Sequence, residues 1–192
     1  MKKIIILLTA LHCIATGVQA QKVTFNTSGS NLGSQNQTAM QYVNVSLSSI
    51  IDFSLGSSSE LVILPFNTLN DYKVGVSSTA QELRVRTNKK FSLGVKTSAS
   101  FFDYSGQTYP APNMPVDSVL NVEINNNATG GNILYPFTNG NYVGLSNQNR
   151  NVLTNGDMGS NQHFSVVYKA APGINYPVGT YKIDVIYTAT MQ

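Results

Sequence analysis

The chain is 192 residues long, 42% hydrophobic and only 11% charged, with a formal net charge of +3. That length is enough to bury one good core, and so weak a charge excludes the dense basic surface of a nucleic-acid binder. A single cysteine excludes a disulfide framework, and two histidines leave little material for metal or acid–base chemistry.

The first twenty residues read as an export signal. Lys2 and Lys3 form a positive start, Ile4 to Ala10 is an apolar run, and Val18-Gln19-Ala20 marks cleavage before Gln21. The run is too short for a membrane-spanning helix, and no later segment approaches the length one needs. Lipidation at Cys13 is disfavoured because the bulky His12 precedes it. Removing this segment also removes Cys13, His12 and two lysines, which leaves ten basic against nine acidic residues, a net +1, and one histidine, His163. A cysteine-free exported chain takes its stability from its core.

No helical period persists in the mature chain, and no capping box leads into an apolar run. Residues 21–41 open with Val23 and Phe25 and then turn Ser-, Gly-, Asn- and Gln-rich, a flexible arm. From residue 42 onward, segments with a period of two alternate with Gly, Asn and Pro, the pattern of strands with one buried face. Val43, Val45 and Leu47 alternate first, followed by Ile50, Ile51, Phe53 and Leu55. Leu61 to Phe66 is interrupted by Pro65 and suits a sheet edge. Tyr72 to Val76 is a further strand candidate. Gln81 to Arg86 places Leu83 and Val85 inward, with Glu82, Arg84 and Arg86 outward. After a turn at Asn88-Lys89-Lys90, Phe91, Leu93 and Val95 alternate, and the two segments read as a hairpin.

Phe101 to Asn113 is a loop with aromatic residues. Met114 to Ile124 alternates with a half-step irregularity that reads as a bulge. The stretch from Asn125 to Asn161 is rich in Asn and Gly, with tight-turn dipeptides at Asn139-Gly140 and Asn155-Gly156. His163 to Ala170 is a strand, with Phe164, Val166 and Tyr168 on one face. Last comes a strand launched by Gly179: Tyr181, Ile183, Val185, Tyr187, Ala189 and Met191 point one way, while Lys182, Asp184, Thr188 and Thr190 point the other. Ile186 is the one apolar residue on that outer row. The sequence closes with this strand, so no later residue is present to cover its free side. The fold expected is all-β: an immunoglobulin-like antiparallel sandwich of about seven to nine strands. No fixed-period repeat points to a solenoid.

The residues offer little catalytic chemistry. His163 stands at the mouth of a strand, no G-x-S-x-G elbow is present, and the carboxylates are sparse and isolated. Asn155 to Gly159 echoes a calcium loop but lacks its regular oxygen-ligand spacing. No enzyme, metal or cofactor is expected. Arg84, Arg86, Lys89 and Lys90 form one basic cluster, read as a solvated strand face or as a contact for an acidic glycan. Tyr104 and Tyr109 are candidates for stacking on a sugar.

The order of features resembles a known group. A polar arm is followed by Val43-Asn44-Val45-Ser46-Leu47-Ser48-Ser49-Ile50-Ile51-Asp52, a central Leu83-to-Lys96 segment, and a Gly179-Thr180-Tyr181 turn into the last strand. This is similar to the pilin-like group that includes spore coat protein U and the colonisation-factor major pilins. The chain departs from many of its relatives in having no cysteine after the signal, and the Asn125–Asn161 stretch has no matching counterpart.

The resemblance implies an immunoglobulin-like sandwich that lacks one strand and is finished by strand addition. It implies partners that are identical or related subunits, a periplasmic chaperone and an outer-membrane usher, and a location from periplasm to cell surface or beyond. On that reading Val23, Phe25, Val43, Val45 and Leu47 are donor-strand candidates. Tyr181, Ile183, Val185, Tyr187 and Met191 line the acceptor groove. The competing expectation is a monomeric secreted β-sandwich module that binds carbohydrate or a surface through Tyr104 and Tyr109 or through the Asn-rich loops.

Overall fold

The structure is a computed structural model that describes residues 38–56, 61–138 and 140–192. The signal segment, Val23, Phe25 and Asn139 lie outside the described residues. The chain divides into two compact units, Met1–Asn44 and Val45–Gln192. In the first, residues 38–44 have no regular structure, and Met40, Tyr42 and Val43 are exposed.

The second unit is an all-β antiparallel sandwich. Its elements in chain order are β1 (Ile51–Leu55), α1 (Leu69–Val74), β2 (Val76–Ser77), β3 (Gln81–Thr87), β4 (Phe91–Thr97), β5 (Asp103–Ser105) and α2 (Val116–Val119). There follow β6 (Leu120–Asn125), β7 (Asn132–Ile133), β8 (Val143–Gly144), β9 (Arg150–Gly156), β10 (Gly159–Ala170), β11 (Thr180–Lys182) and β12 (Val185–Met191). One sheet runs β1-β3-β10-β6-β8, with β2 also pairing β10. The other runs β12-β4-β9-β7, and β11 and β5 form a separate two-stranded ribbon.

The period of two explains why the sheets stack. Leu83 and Val85 of β3, Val122 and Ile124 of β6, and Phe164 and Val166 of β10 point inward from the first sheet. They meet Phe91, Leu93 and Val95 of β4 and Val152 and Leu153 of β9 in a single buried cluster. Each of these side chains is at most 2% exposed. Removing so much apolar surface from water, at roughly 1.5–3 kcal/mol per large side chain, is what holds the sandwich together.

Four local expectations differ from the structure. Gln81–Arg86 and Phe91–Val95 do not pair as a hairpin, because β3 lies in one sheet and β4 in the other. The link between them is an arch. It carries no tight-turn dipeptide, and crossing over lets two fully buried rows pack against each other instead of lying side by side. The half-step before Ile124 is the short helix α2 leading into β6, not a bulge.

Tyr72 lies on α1 rather than on a strand. Thr68 accepts from the Asp71 N–H at 3.3 Å, while Asp71 accepts from Thr68 N–H at 2.8 Å, a capping box. Backbone N–H groups of Thr68 and Asn67 hold the Asp71 carboxyl below its usual range. A helix of 6 residues shows no period in the sequence. Leu61 to Phe66 makes no ladder among the described residues, although Val62, Leu64 and Phe66 are half-buried in alternation.

Candidate functional site

β1 and β12 are the edges of the two sheets and lie close to each other on one side of the sandwich. Among the described residues, β12 pairs with β4 alone and β1 with β3 alone. Register shows which backbone groups face outward. The Ser98 N–H donates to the Asp184 carbonyl at 3.0 Å, and the Gln192 N–H donates to the Lys90 carbonyl at 2.8 Å. Residues of an antiparallel strand turn to their partner alternately. Even-numbered residues of β12 therefore bond to β4, and Val185, Tyr187, Ala189 and Met191 turn their backbone groups to the open side. The same reasoning holds on β1. Asn88 N–H donates to Ile50 carbonyl and Gly56 N–H to Glu82 carbonyl, which leaves Ile51, Phe53 and Leu55 facing out.

The side chains of these odd-numbered residues alternate in phase with the backbone, so they are the ones that point toward the core. They are not fully covered. Ile51, Phe53, Val185, Tyr187 and Ala189 are half-buried and pack against the core cluster. Leu55 is 41% and Met191 37% exposed. On β4, directly beside β12, Phe91, Leu93 and Val95 are at most 1% exposed. Burial thus falls abruptly from one strand to its neighbour at this edge. Tyr187 crosses the sandwich to β10, where the Tyr168 hydroxyl donates to the Tyr187 hydroxyl at 3.1 Å. Burial, and then the neighbouring Tyr168, pushes the Tyr187 hydroxyl well above its ordinary value. Burial also raises Tyr168, offset in part by this hydrogen bond.

The sequence-derived acceptor row is brought together in part. Val185, Tyr187 and Met191 lie on β12, and Ile183 packs half-buried at its start. Tyr181 lies instead on β11, paired with Tyr104. Its ring sits 5.0 Å from Tyr104 and 6.4 Å from Tyr176, and its hydroxyl donates to the Pro177 carbonyl at 2.8 Å. Partial burial, with Tyr104, Tyr176 and Tyr72 close by, raises the Tyr181 hydroxyl.

Of the donor candidates, Val43 is 78%, Val45 74% and Leu47 85% exposed, and none lies on a strand. These apolar side chains alternate with polar ones and are left in water. Sequence reasoning missed two features. One is the β1 row of Ile51, Phe53 and Leu55, legible as an alternation but not as an incompletely covered sheet edge. The other is Asn88, which a turn assignment hides.

The two sugar-stacking candidates differ in setting. The Tyr104 hydroxyl donates to the Val178 carbonyl at 3.0 Å, while Tyr109 is 95% exposed. The basic cluster is largely paired: Arg84 with Glu82 at 2.8 Å, Arg86 with Asp52 at 3.3 Å and Lys90 with Asp157 at 3.0 Å. His163 contacts the Asn161 carbonyl at 3.1 Å. Among the described residues no group of His, Cys, Asp and Glu could hold a metal ion, and no helix is long and apolar enough to cross a membrane.

No protein-family model and no curated protein sequence matches the chain. Solved structures with a similar layout include a subunit of a chaperone–usher pilus. It is 14% identical, covering 85% of this chain and 100% of its own, with a TM-score of 0.38. Another is PapA, the rod subunit of the P pilus: 12% identical, covering 73% of this chain and 99% of its own, with a TM-score of 0.36. Superpositions this loose carry no weight for function, which rests on the edge geometry.

Proposed function

We propose that this chain is an exported pilin-like structural subunit of a bacterial cell surface that assembles by strand addition. The observation that carries this reading is the pairing of two deficits at one edge. Among the described residues, Val185, Tyr187, Ala189 and Met191 offer unpaired backbone groups, and the same row of side chains is only partly covered. An added strand with alternating apolar residues satisfies both at once. Val43, Val45 and Leu47 supply such a strand, exposed and just ahead of β1. Insertion of one copy's segment into the next copy's groove is head-to-tail and does not close, so it builds filaments.

A subunit with an open apolar edge aggregates unless something covers that edge first. This supports a periplasmic chaperone as a transient partner and an outer-membrane usher as the route to the surface. Residues 21–47 then serve as the arm, and the sandwich that follows, from β1 onward, contains the acceptor. The test is a truncated mature chain that begins at Ser48, compared with the full mature chain by size-exclusion chromatography with light scattering. Loss of oligomers on truncation supports strand addition. An unchanged oligomeric state in the truncated protein refutes it.

A further inference from the structure

We infer that Asn88 is a positioning residue that holds the root of the arm in line with β1, so that the arm enters a neighbouring subunit rather than its own groove. This rests on the strand-addition reading above. Asn88 sits in the arch between β3 and β4, outside the core, yet it makes three hydrogen bonds to one short segment. Its N–H donates to the Ile50 carbonyl at 3.3 Å, the next rung of the β1–β3 ladder. Its side-chain Oδ1 accepts from the Ile50 N–H at 2.9 Å. Its Nδ2 donates to the Ser48 carbonyl at 2.8 Å.

The geometry of these bonds is specific. In an extended chain the carbonyl of one residue and the N–H two residues later face the same side. A carboxamide presents one acceptor and one donor side by side, and here it bonds to both groups. The Asn88 side chain therefore replaces the rung that β3 can no longer offer, and it keeps the backbone extended through Ser48. Val45 and Leu47, immediately upstream, stay exposed.

Self-insertion requires the opposite. β12 lies beside β1 in the same molecule. For Val43, Val45 and Leu47 to reach the open side of their own β12, the chain has to reverse within the few residues between Leu47 and Ile51. Those residues include the two that Asn88 holds. Releasing Ser48 and Ile50 is thus a precondition for closing the groove from within by Val43, Val45 and Leu47, and it carries a cost in lost hydrogen bonds. Insertion into another copy leaves all three bonds intact.

The experiment uses the full mature chain at a dilution where it is monomeric. A fluorescein-labelled peptide of residues 42–49 is titrated in and binding is followed by anisotropy. In Asn88→Ala the freed arm competes for its own groove, so the labelled peptide binds about fivefold more weakly than to the natural chain, the scale of one or two lost hydrogen bonds. In a chain beginning at Ser48, which has no competing arm, Asn88→Ala leaves peptide affinity unchanged. Asn88→Asp keeps the acceptor for Ile50 and loses the donor to Ser48, and it falls between the two.

Equal peptide affinity in the full chain and in its Asn88→Ala form overturns the inference while leaving strand addition standing. Failure of the peptide to bind any of these proteins overturns strand addition itself. A thermal melt of each variant confirms that it is folded. If Asn88→Ala unfolds, the Asn88→Asp comparison alone decides the matter, with an unchanged affinity counting against the inference.

Discussion

Proline substitution on β12 separates the open side of the strand from its paired side. Thr188 turns its backbone to Gly94 of β4, whereas Ala189 turns to the open edge. Proline has no N–H and is tolerated in sheets where that N–H faces solvent. Thr188→Pro leaves the buried Gly94 without its donor, which costs about 2 kcal/mol. In a domain of this size that lowers the melting temperature by about 4–8 °C. Ala189→Pro removes no bond from the β4 ladder, so the melt, followed by far-ultraviolet circular dichroism, shifts by less than about 2 °C.

The effects on assembly are reversed. The ring at residue 189 removes one donor from the acceptor edge and obstructs the incoming backbone. Binding of the labelled 42–49 peptide weakens at least about tenfold, equal to about 1.4 kcal/mol. If Ala189→Pro binds the peptide as well as the natural chain does, the edge is not the acceptor. If Ala189→Pro melts as early as Thr188→Pro, the register deduced for β12 is wrong.

Other expectations concern stability. The folded state holds the Tyr168 and Tyr187 hydroxyls neutral by raising them above their ordinary value of 10.0. Their contribution is complete below that value and is lost as pH rises past it, because the unfolded chain ionises first. Urea midpoints measured between neutral and strongly alkaline pH should fall above about pH 10, and Tyr187→Phe should soften that fall. Phe91→Ala empties the centre of the core, where the residue is 0% exposed, and should cost about 3–5 kcal/mol in urea unfolding. Tyr104→Phe removes the hydroxyl that bonds the Val178 carbonyl and accepts from Thr108 N–H. It should cost about 1 kcal/mol and leave peptide binding unchanged, since the β5–β11 ribbon is separate from the groove.

The parts of the fold that were legible in the sequence are those written with a period of two. The inward rows of β3, β4 and β10 follow directly from alternation at Leu83 and Val85, at Phe91 to Val95, and at Phe164 and Val166. Which strand neighbours which was not legible, because alternation encodes a buried face and not a partner. That is why β3 and β4 read as a hairpin although an arch carries them into opposite sheets. Short elements also escaped. α1 declares itself by the Thr68–Asp71 capping box rather than by any apolar stripe, and β7 and β8 are 2 residues each within an Asn- and Gly-rich stretch.

The alternating row of β12 was legible from Val185 onward, whereas Tyr181 lies on β11 instead. The irregular step at Ile183–Asp184 sets it on a different ribbon, among aromatic rings. The half-buried edge row of β1 was hidden because Ile51 and Phe53 look like an ordinary first strand. Their incomplete cover is a property of the assembled sandwich alone.

Hydrogen exchange at four amides tests the central claim most directly. The backbone N–H groups of Val185, Tyr187, Ala189 and Met191 face the open edge, and those of the even-numbered residues between them are tied to β4. In the assembled full mature chain all of them should be protected. In the chain beginning at Ser48 the four odd-numbered amides should exchange rapidly while their even-numbered neighbours stay protected. Equal protection of the four amides in both proteins contradicts an edge completed by an added strand.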